Sequence, residues 1–314
     1  MRAIVLHEAG APENLTLEDL PVPAAGPGEV VVKTEAIGVS YTETIIRSGV
    51  YPLQLPVTFG FEAAGLVTET GEGVDKALNG RRVVVMNPGL GCYAEYAAVP
   101  VDAVTEIPDG LSANDATAVA GFGAVALCLL RAARLTGAET VLVESAAGGV
   151  GGYLTQLAHA HGAKRVIGTA GSAARRDYAR SLGADEVLDH TDPGWTAELP
   201  GIDAAFESLA GDTTVKLVPA MTPGTGRILL YGTLQGPSTL GPADLLTRGL
   251  TLIGCGGMPG WLDRVQAAKA EVLQLAADGK LKPLIDSVLP LEQAANAHQR
   301  FDDRAAMGKI ILRP

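Results

Sequence analysis

The chain has 314 residues, 47% of them hydrophobic but only 4% aromatic, and a formal net charge of −11 at pH 7. That length exceeds what one hydrophobic core usually supports, so two domains with cores of small aliphatic side chains are expected. The negative balance and the lack of a basic patch argue against nucleic acid or an anionic membrane as partner. Three scattered cysteines, Cys92, Cys128 and Cys255, supply neither a disulfide framework nor a paired-cysteine metal knuckle. A reducing cytoplasm is the simplest setting: Met1–Glu8 reaches charge too early for a signal peptide. No apolar segment is read as approaching the ~20 residues that span a bilayer.

Residues 1 to about 113 read as β-rich, with short β-prone runs at 3–6, 29–36, 62–69 and 81–86, separated by Pro/Gly punctuation such as Pro21-Val22-Pro23 and Gly26-Pro27-Gly28. From Ala113 the character changes, and 116–135 predicts a long alanine- and leucine-rich helix interrupted at Gly121-Phe122-Gly123. Strand and helix signals then alternate, with strands expected at 140–144, 164–169, 186–188, 204–207, 227–231 and 250–253. The link from His190 to Ile202 carries Pro193, Gly194, Pro200 and Gly201, so its helix is expected to be truncated or absent. A last strand-like run at 309–312 follows a helical segment at 291–301 and can return to the N-terminal β region.

The most informative stretch is Ser145-Ala146-Ala147-Gly148-Gly149-Val150-Gly151-Gly152, between the apolar run Thr140–Val143 and a helix-like segment at 153–161. Strand, glycine turn and helix N-terminus together cradle a dinucleotide pyrophosphate, because a Cβ would block the approach of backbone N–H groups and the helix dipole adds positive charge. Against the G-x-G-x-x-G fingerprint the run reads Ala146-x-Gly148-x-x-Gly151, with alanine in the first glycine position. The βαβ spacing to Lys164–Thr169 strengthens the reading. The competing account is a glycine-rich turn that binds nothing. The fold class expected is α/β: a Rossmann-type doubly wound parallel sheet at 114–285, plus a β-rich domain formed by 1–113 and 286–314.

Several fragments in order resemble a known family: Ala36–Glu43, Arg47–Pro52, Gly60–Gly65, Gly91–Tyr96, the glycine run, Leu182–Asp185 and Gly308–Leu312. Together they resemble zinc-independent medium-chain dehydrogenases/reductases, and most closely the NADPH:quinone oxidoreductase branch that includes ζ-crystallin. The resemblance covers nearly the whole chain and implies a GroES-like fold for the β-rich catalytic domain. Zinc enzymes of this superfamily carry cysteine at the position of Ser40 and histidine at that of Phe61; both are missing, and no Cys or His occurs between Tyr93 and Leu127. Metal-free chemistry is expected.

The nicotinamide cofactor is read at the end of the second strand of the βαβ unit. NAD enzymes place Asp or Glu there, about 20 residues past the glycine turn, for the ribose hydroxyls. Here Thr169-Ala170-Gly171-Ser172-Ala173-Ala174-Arg175-Arg176 has no carboxylate before Asp177, which favours NADPH. Arg175 falls where the resembled family carries a lysine for the 2′-phosphate, and a guanidinium suits that dianion. Gly171 and Ser172 supply further donors, and His190 replaces a family tyrosine near the adenine or phosphate. For Arg175 and Arg176 the competing account is a solvated helix face.

The resemblance also implies cofactor contacts at Tyr41, Gly123, Gly148, Gly149, Val150, Ser208, Tyr231-Gly232-Thr233 and Cys255-Gly256; Cys255 can equally be a packing residue, and Lys309 a cofactor contact or an exposed edge lysine. Without a Lewis acid, the acceptor must be an electrophile that needs little help, a quinone or an α,β-unsaturated carbonyl, positioned beside Tyr51, Tyr41 or Ser40 as donors to the developing oxyanion. Ser40, Glu43 and Gly123 stand where quinone reductases typically carry asparagine, aspartate and threonine, so the acceptor is the open question. Two alternatives stand beside this reading. One is a stand-alone enoyl reductase acting on acyl thioesters in polyketide-like biosynthesis. The other is a non-catalytic NADPH-binding structural or sensor protein. A homodimer is expected by resemblance, with the sheet continued through the 250–253 edge strand as its route.

Overall fold

The computed structural model describes residues 1–314. The strands run β1 (Arg2–Leu6), β2 (Leu15–Asp19), β3 (Glu29–Val39), β4 (Val57–Thr58), β5 (Glu62–Thr70), β6 (Arg82–Met86), β7 (Tyr96–Pro100), β8 (Val104–Glu106), β9 (Glu139–Val143), β10 (Ala163–Thr169), β11 (Glu186–Leu188), β12 (Ala204–Glu207), β13 (Arg227–Leu230), β14 (Thr251–Gly254), β15 (Ile285–Pro290) and β16 (Lys309–Arg313). The helices are α1 (Tyr41–Arg47), α2 (Ala113–Ala133), α3 (Gly149–Leu157), α4 (Ala173–Ser181), α5 (Gly211–Leu217), α6 (Pro242–Leu246), α7 (Trp261–Ala277) and α8 (Ala294–Asp302). Two compact units result, Met1–Gly121 with Lys269–Pro314, and Phe122–Ala268. The divisions fall inside α2 and α7, whereas the composition changes near 113.

In the first unit a sheet of order β15-β16-β3-β5-β6-β8, with β7 also on β3, accompanies a small sheet β2-β1-β4. The long strand β3 sits among β16, β5 and β7, and its Val30, Val31 and Val32 are all buried, as a central strand requires. Strand β16 joins β3 antiparallel, Ile310 opposite Val39, so the C-terminal run does return to the N-terminal sheet. Ile4, Val32, Ile37, Val83 and Ile310 form part of one apolar core.

The second unit is a six-stranded, wholly parallel sheet of order β11-β10-β9-β12-β13-β14. The order reverses between β9 and β12, where doubly wound sheets open a crevice at their C-terminal edge. Its strands are short apolar runs, such as Val141-Leu142-Val143, because helices bury both faces. The link before β12 contains only a 3-10 turn, Trp195–Glu198, in keeping with its prolines and glycines.

Three expectations need correction. Helix α2 runs unbroken through Gly121-Phe122-Gly123. Gly121 serves close packing: a Cβ there would stand 3.0 Å from Glu62 Oε1 and 3.4 Å from Met86 Sδ. With its 21 residues, α2 is also long and apolar enough to cross a membrane by length and composition, contrary to the sequence reading, but it is mostly buried as a core helix. Helix α3 likewise begins at Gly149, earlier than the expected start at Tyr153, so three glycines of the run lie inside its first turns.

Candidate functional site

The phosphate turn starts with strain. Ser145 follows Glu144 at the end of β9 and adopts φ +54°, which L residues rarely occupy, while its N–H donates to Thr169 Oγ1 at 3.1 Å. Gly148 then caps α3, its N–H donating to Ser145 O at 2.8 Å. A Cβ on Gly151 would lie 2.3 Å from Ser145 O, and one on Gly149 would lie 2.5 Å from the Phe122 ring. Only glycine therefore lets turn and helix close this tightly, leaving the first N–H groups of α3, those of Gly149 and Val150 included, free of intrahelical partners.

The irregular fingerprint has a packing explanation. Ala146 is fully buried, and its Cβ would stand 2.7 Å from a Cβ on Gly168 of β10. Its methyl group fits because the neighbouring strand supplies a glycine opposite it.

Beyond β10, Ser172 caps α4 and its hydroxyl accepts from the Arg175 N–H at 3.3 Å. No carboxylate occupies Ala170, Gly171 or Ser172, and Arg175 sits half-buried in the first turn of α4. Arg176 differs: its Nη1 pairs with Asp189 Oδ2 at 2.5 Å. Asp189 is held below the usual carboxylate range by the Thr191 donors and then by Arg176. His190, next in the chain, turns its Nδ1 toward Thr169 Oγ1 at 3.3 Å.

The remaining residues expected in this unit follow the C-terminal ends of β12, β13 and β14. Ser208 is buried, and a Cβ on Gly232 would stand 2.5 Å from its carbonyl oxygen. Tyr231 donates its N–H to Glu207 O at 3.0 Å, and burial pushes its phenol well above the ordinary range. Thr233 closes a turn by accepting the Gly236 N–H at 2.9 Å. Cys255 is fully buried, its thiol pushed up to about 11 by burial, so it behaves as a packing residue; the adjoining Gly256 is open on its Cα face. Gly123 lies mid-helix in α2, next to Phe122, whose ring packs on Gly149.

Sequence reasoning missed two fully buried carboxylates here, Glu144 and Glu207. Glu207 accepts from the N–H groups of Leu209 (2.6 Å) and Ala210 (2.9 Å) and from the Thr214 hydroxyl (2.8 Å); burial raises its pKa against those donors. A signal existed, since the apolar runs Val141-Leu142-Val143 and Ala204-Ala205-Phe206 each end on glutamate at the ligand edge of the sheet.

In the first unit, one carboxylate organises the residues around Ser40. Glu43 is buried and accepts from the Ser40 N–H at 2.7 Å and the Phe61 N–H at 3.0 Å. It thus brackets the two positions where relatives carry zinc ligands, and those positions present a hydroxyl and a phenyl ring, neither of which fits zinc. No three His, Cys, Asp or Glu side chains converge as a metal site anywhere in the chain. Burial pushes Glu43 up to about 7 against the donors of Phe61 and Ser40 and the Lys309 charge. Tyr41 opens α1 and is partly exposed; Tyr51, in the segment beyond it, is 55% exposed.

Lys309 is buried, not exposed on an edge, and its Nζ donates to Glu62 Oε2 at 2.6 Å. Beside this pair, Lys269 is buried and lowered by burial to about 8, against the Glu62 charge. Tyr93 and His298 share a buried hydrogen bond of 3.1 Å between Oη and Nε2. These partners are far apart in sequence, and only the fold brings them together.

A glycine turn at the reversal point of a parallel six-stranded sheet, in a chain that also carries a GroES-like sheet, defines the architecture of a dinucleotide-dependent dehydrogenase. Comparison with known proteins agrees. Residues 26–109 match the alcohol dehydrogenase GroES-like domain and residues 149–277 the zinc-binding dehydrogenase family. Quinone oxidoreductase of Sus scrofa is 34% identical over 330 residues, covering 99% of this chain and 97% of that protein. The 2-haloacrylate reductase of a Burkholderia species is 29% identical, covering 99% and 98%. The Escherichia coli quinone oxidoreductase solved with NADPH superposes with a TM-score of 0.91 at 29% identity over the full length of both chains. The chain is an oxidoreductase and belongs to the quinone oxidoreductase branch of the medium-chain dehydrogenase/reductase superfamily.

Proposed function

We propose that the chain is a zinc-free, NADPH-dependent reductase of quinones or α,β-unsaturated carbonyls, working as a cytoplasmic homodimer. The observation that carries the cofactor choice is the loop after β10, which lacks a carboxylate and places Arg175 in the first turn of α4. The glycine turn at 148–151, packed so closely that a Cβ on Gly149 or Gly151 would strike the Phe122 ring or Ser145 O, supports a pyrophosphate at the N-terminus of α3. Bound NADPH supplies a hydride from its nicotinamide ring. Around it, Ser208, Tyr231–Thr233 and Cys255-Gly256 line the strand ends, with Tyr41, Gly123 and Lys309 as further contacts and Gly171, Ser172, Arg175, Arg176 and His190 around the adenosine. Tyr51, Tyr41 and Ser40 supply hydroxyl donors to the acceptor oxygen.

Relatives named for quinones and for a haloacrylate both support an acceptor polarised in its own right. An enoyl thioester remains the second reading, because the same metal-free donors serve it. Oxidation of NADPH and NADH against quinones, simple enones and crotonyl-type thioesters separates the acceptors, and turnover of none of them would refute this choice of acceptor class. Arg175→Ala is expected to raise KM for NADPH about tenfold or more with little change for NADH; equal effects on both cofactors count against the assignment. The homodimer is supported by the β14 edge, where Leu252 is exposed along with Leu246 before it and Leu262 beyond it. Light scattering at the mass of a single chain would refute it.

A further inference from the structure

The C-terminal edge of the parallel sheet holds a carboxylate that the phosphate turn does not use. Glu144 is fully buried, and its Oε1 has no hydrogen-bond partner. Its Oε2 lies 3.5 Å from Ser145 Oγ, which donates to it, and 3.5 Å from His190 Nδ1. His190 stands in the turn after β11, so its ring reaches past the end of β10, where Thr169 Oγ1 lies 3.3 Å from the same nitrogen. The other ring nitrogen, Nε2, is 3.0 Å from the place a Cβ would take on Gly171. One imidazole thus spans three strand ends, with a carboxylate on one side and the Gly171–Arg175 loop on the other.

An acid buried beside an anion-binding turn is costly unless a donor or cation compensates it. The one ionisable group within ion-pair distance of Glu144 is His190. We propose that Glu144 is a positioning residue for cofactor recognition: it fixes the His190 ring across the end of β10 so that Nε2 donates to the 2′-phosphate of the dinucleotide. The inference rests on reading the Gly171–Arg175 loop as the 2′-phosphate site. An imidazole bracketed by a carboxylate and a phosphate holds a proton on each ring nitrogen and donates to both anions; the carboxylate sets the orientation of the ring, as the carboxylate behind a metal-ligating histidine does.

Calorimetric titration with adenosine 2′,5′-bisphosphate, and with 5′-AMP as the probe lacking the 2′-phosphate, tests this on the full chain. Glu144→Gln and His190→Gln are each expected to weaken bisphosphate binding about tenfold or more and to leave 5′-AMP within about twofold. The double variant should bind no more weakly than His190→Gln alone, since Glu144 acts through the ring. If Glu144→Gln does not fold, Glu144→Asp, which draws the carboxylate back by one methylene, is expected to show the same selective loss. Wild-type bisphosphate affinity in the Glu144 variant, equal losses for both probes, or independent additive losses in the double variant overturn the proposal. Arg175→Ala in parallel separates the two levels. If it weakens the bisphosphate while Glu144→Gln does not, this inference alone fails; if it has no effect, the reading of the loop fails with it.

Discussion

At the scale of single residues, two of the five non-glycine residues at positive φ, Ser145 and Ala210, stand at the ligand edge of the parallel sheet. Ala210 caps α5 at φ 57°, ψ −136°, a region that essentially only glycine visits at low cost, and it is held there because its N–H donates to both oxygens of buried Glu207 at 2.9 and 3.1 Å. Relief of that strain outweighs the added freedom of glycine in the unfolded chain. Ala210→Gly should therefore stabilise the protein by about 1 kcal/mol, seen as a higher denaturation midpoint at unchanged slope. A lower midpoint would mean that the alanine side chain contributes packing larger than the strain it causes.

Between elements, the buried Glu62–Lys309 pair ties β5 to β16 across a sheet in which the two strands are not neighbours. Removing Lys309 leaves buried Glu62 with Lys269 as its remaining nearby cation, so Lys309→Met should cost about 3 kcal/mol, whereas Lys309→Met combined with Glu62→Met, which takes that charge from Lys269 in turn, should recover only part of the loss. Equilibrium unfolding of the two variants beside the wild type checks this; a double variant as unstable as the single one would show that packing, not charge, is at stake. The same pair marks the limit of what was legible in the chain. Strand ends, the glycine turn and the return of 309–312 to the N-terminal sheet follow from local patterns of apolar and glycine residues. The pairing of Glu62 with Lys309, or of Tyr93 with His298, depends on register between segments about two hundred or more positions apart, which no local pattern encodes. Gly121 and Gly123 misled for a related reason: glycine marks a helix break or a close contact alike, and only the neighbour, here Glu62, decides between them.

Across the whole molecule, buried groups of opposite sense set the dependence of stability on pH. His298 is lowered from 6.5 to about 3 by burial and the nearby Arg47, so the unfolded chain binds the extra proton and stability falls as pH drops from 6.5 toward 3. Glu139 acts on the same side: burial works against it, yet the donors around Thr136 hold it at about 2, and its contribution is lost as pH falls below 4.5. Glu43 works oppositely, because burial raises it from 4.5 to about 7 and the folded chain then keeps a proton the unfolded chain releases; stability falls as pH rises across that interval. From about pH 4.5 to 6.5 the His298 and Glu43 slopes oppose each other, which predicts a plateau there, with losses below 4.5 and from 6.5 to 7. Denaturant unfolding across pH checks this. Glu43→Gln should remove the loss on the neutral side, and His298→Gln should soften the acid side; profiles unchanged by both would refute the assignment.

The contact between Ala146 and Gly168 makes the history of substitution at the turn directional. A methyl group fits in the first fingerprint position only while the facing strand residue has no side chain, since the two Cβ atoms would otherwise stand 2.7 Å apart. Either residue can be alanine, but not both, so a chain passing between the two arrangements must go through the form with glycine at both places. The irregular fingerprint is in this sense a regular one whose vacancy has moved to the adjacent strand.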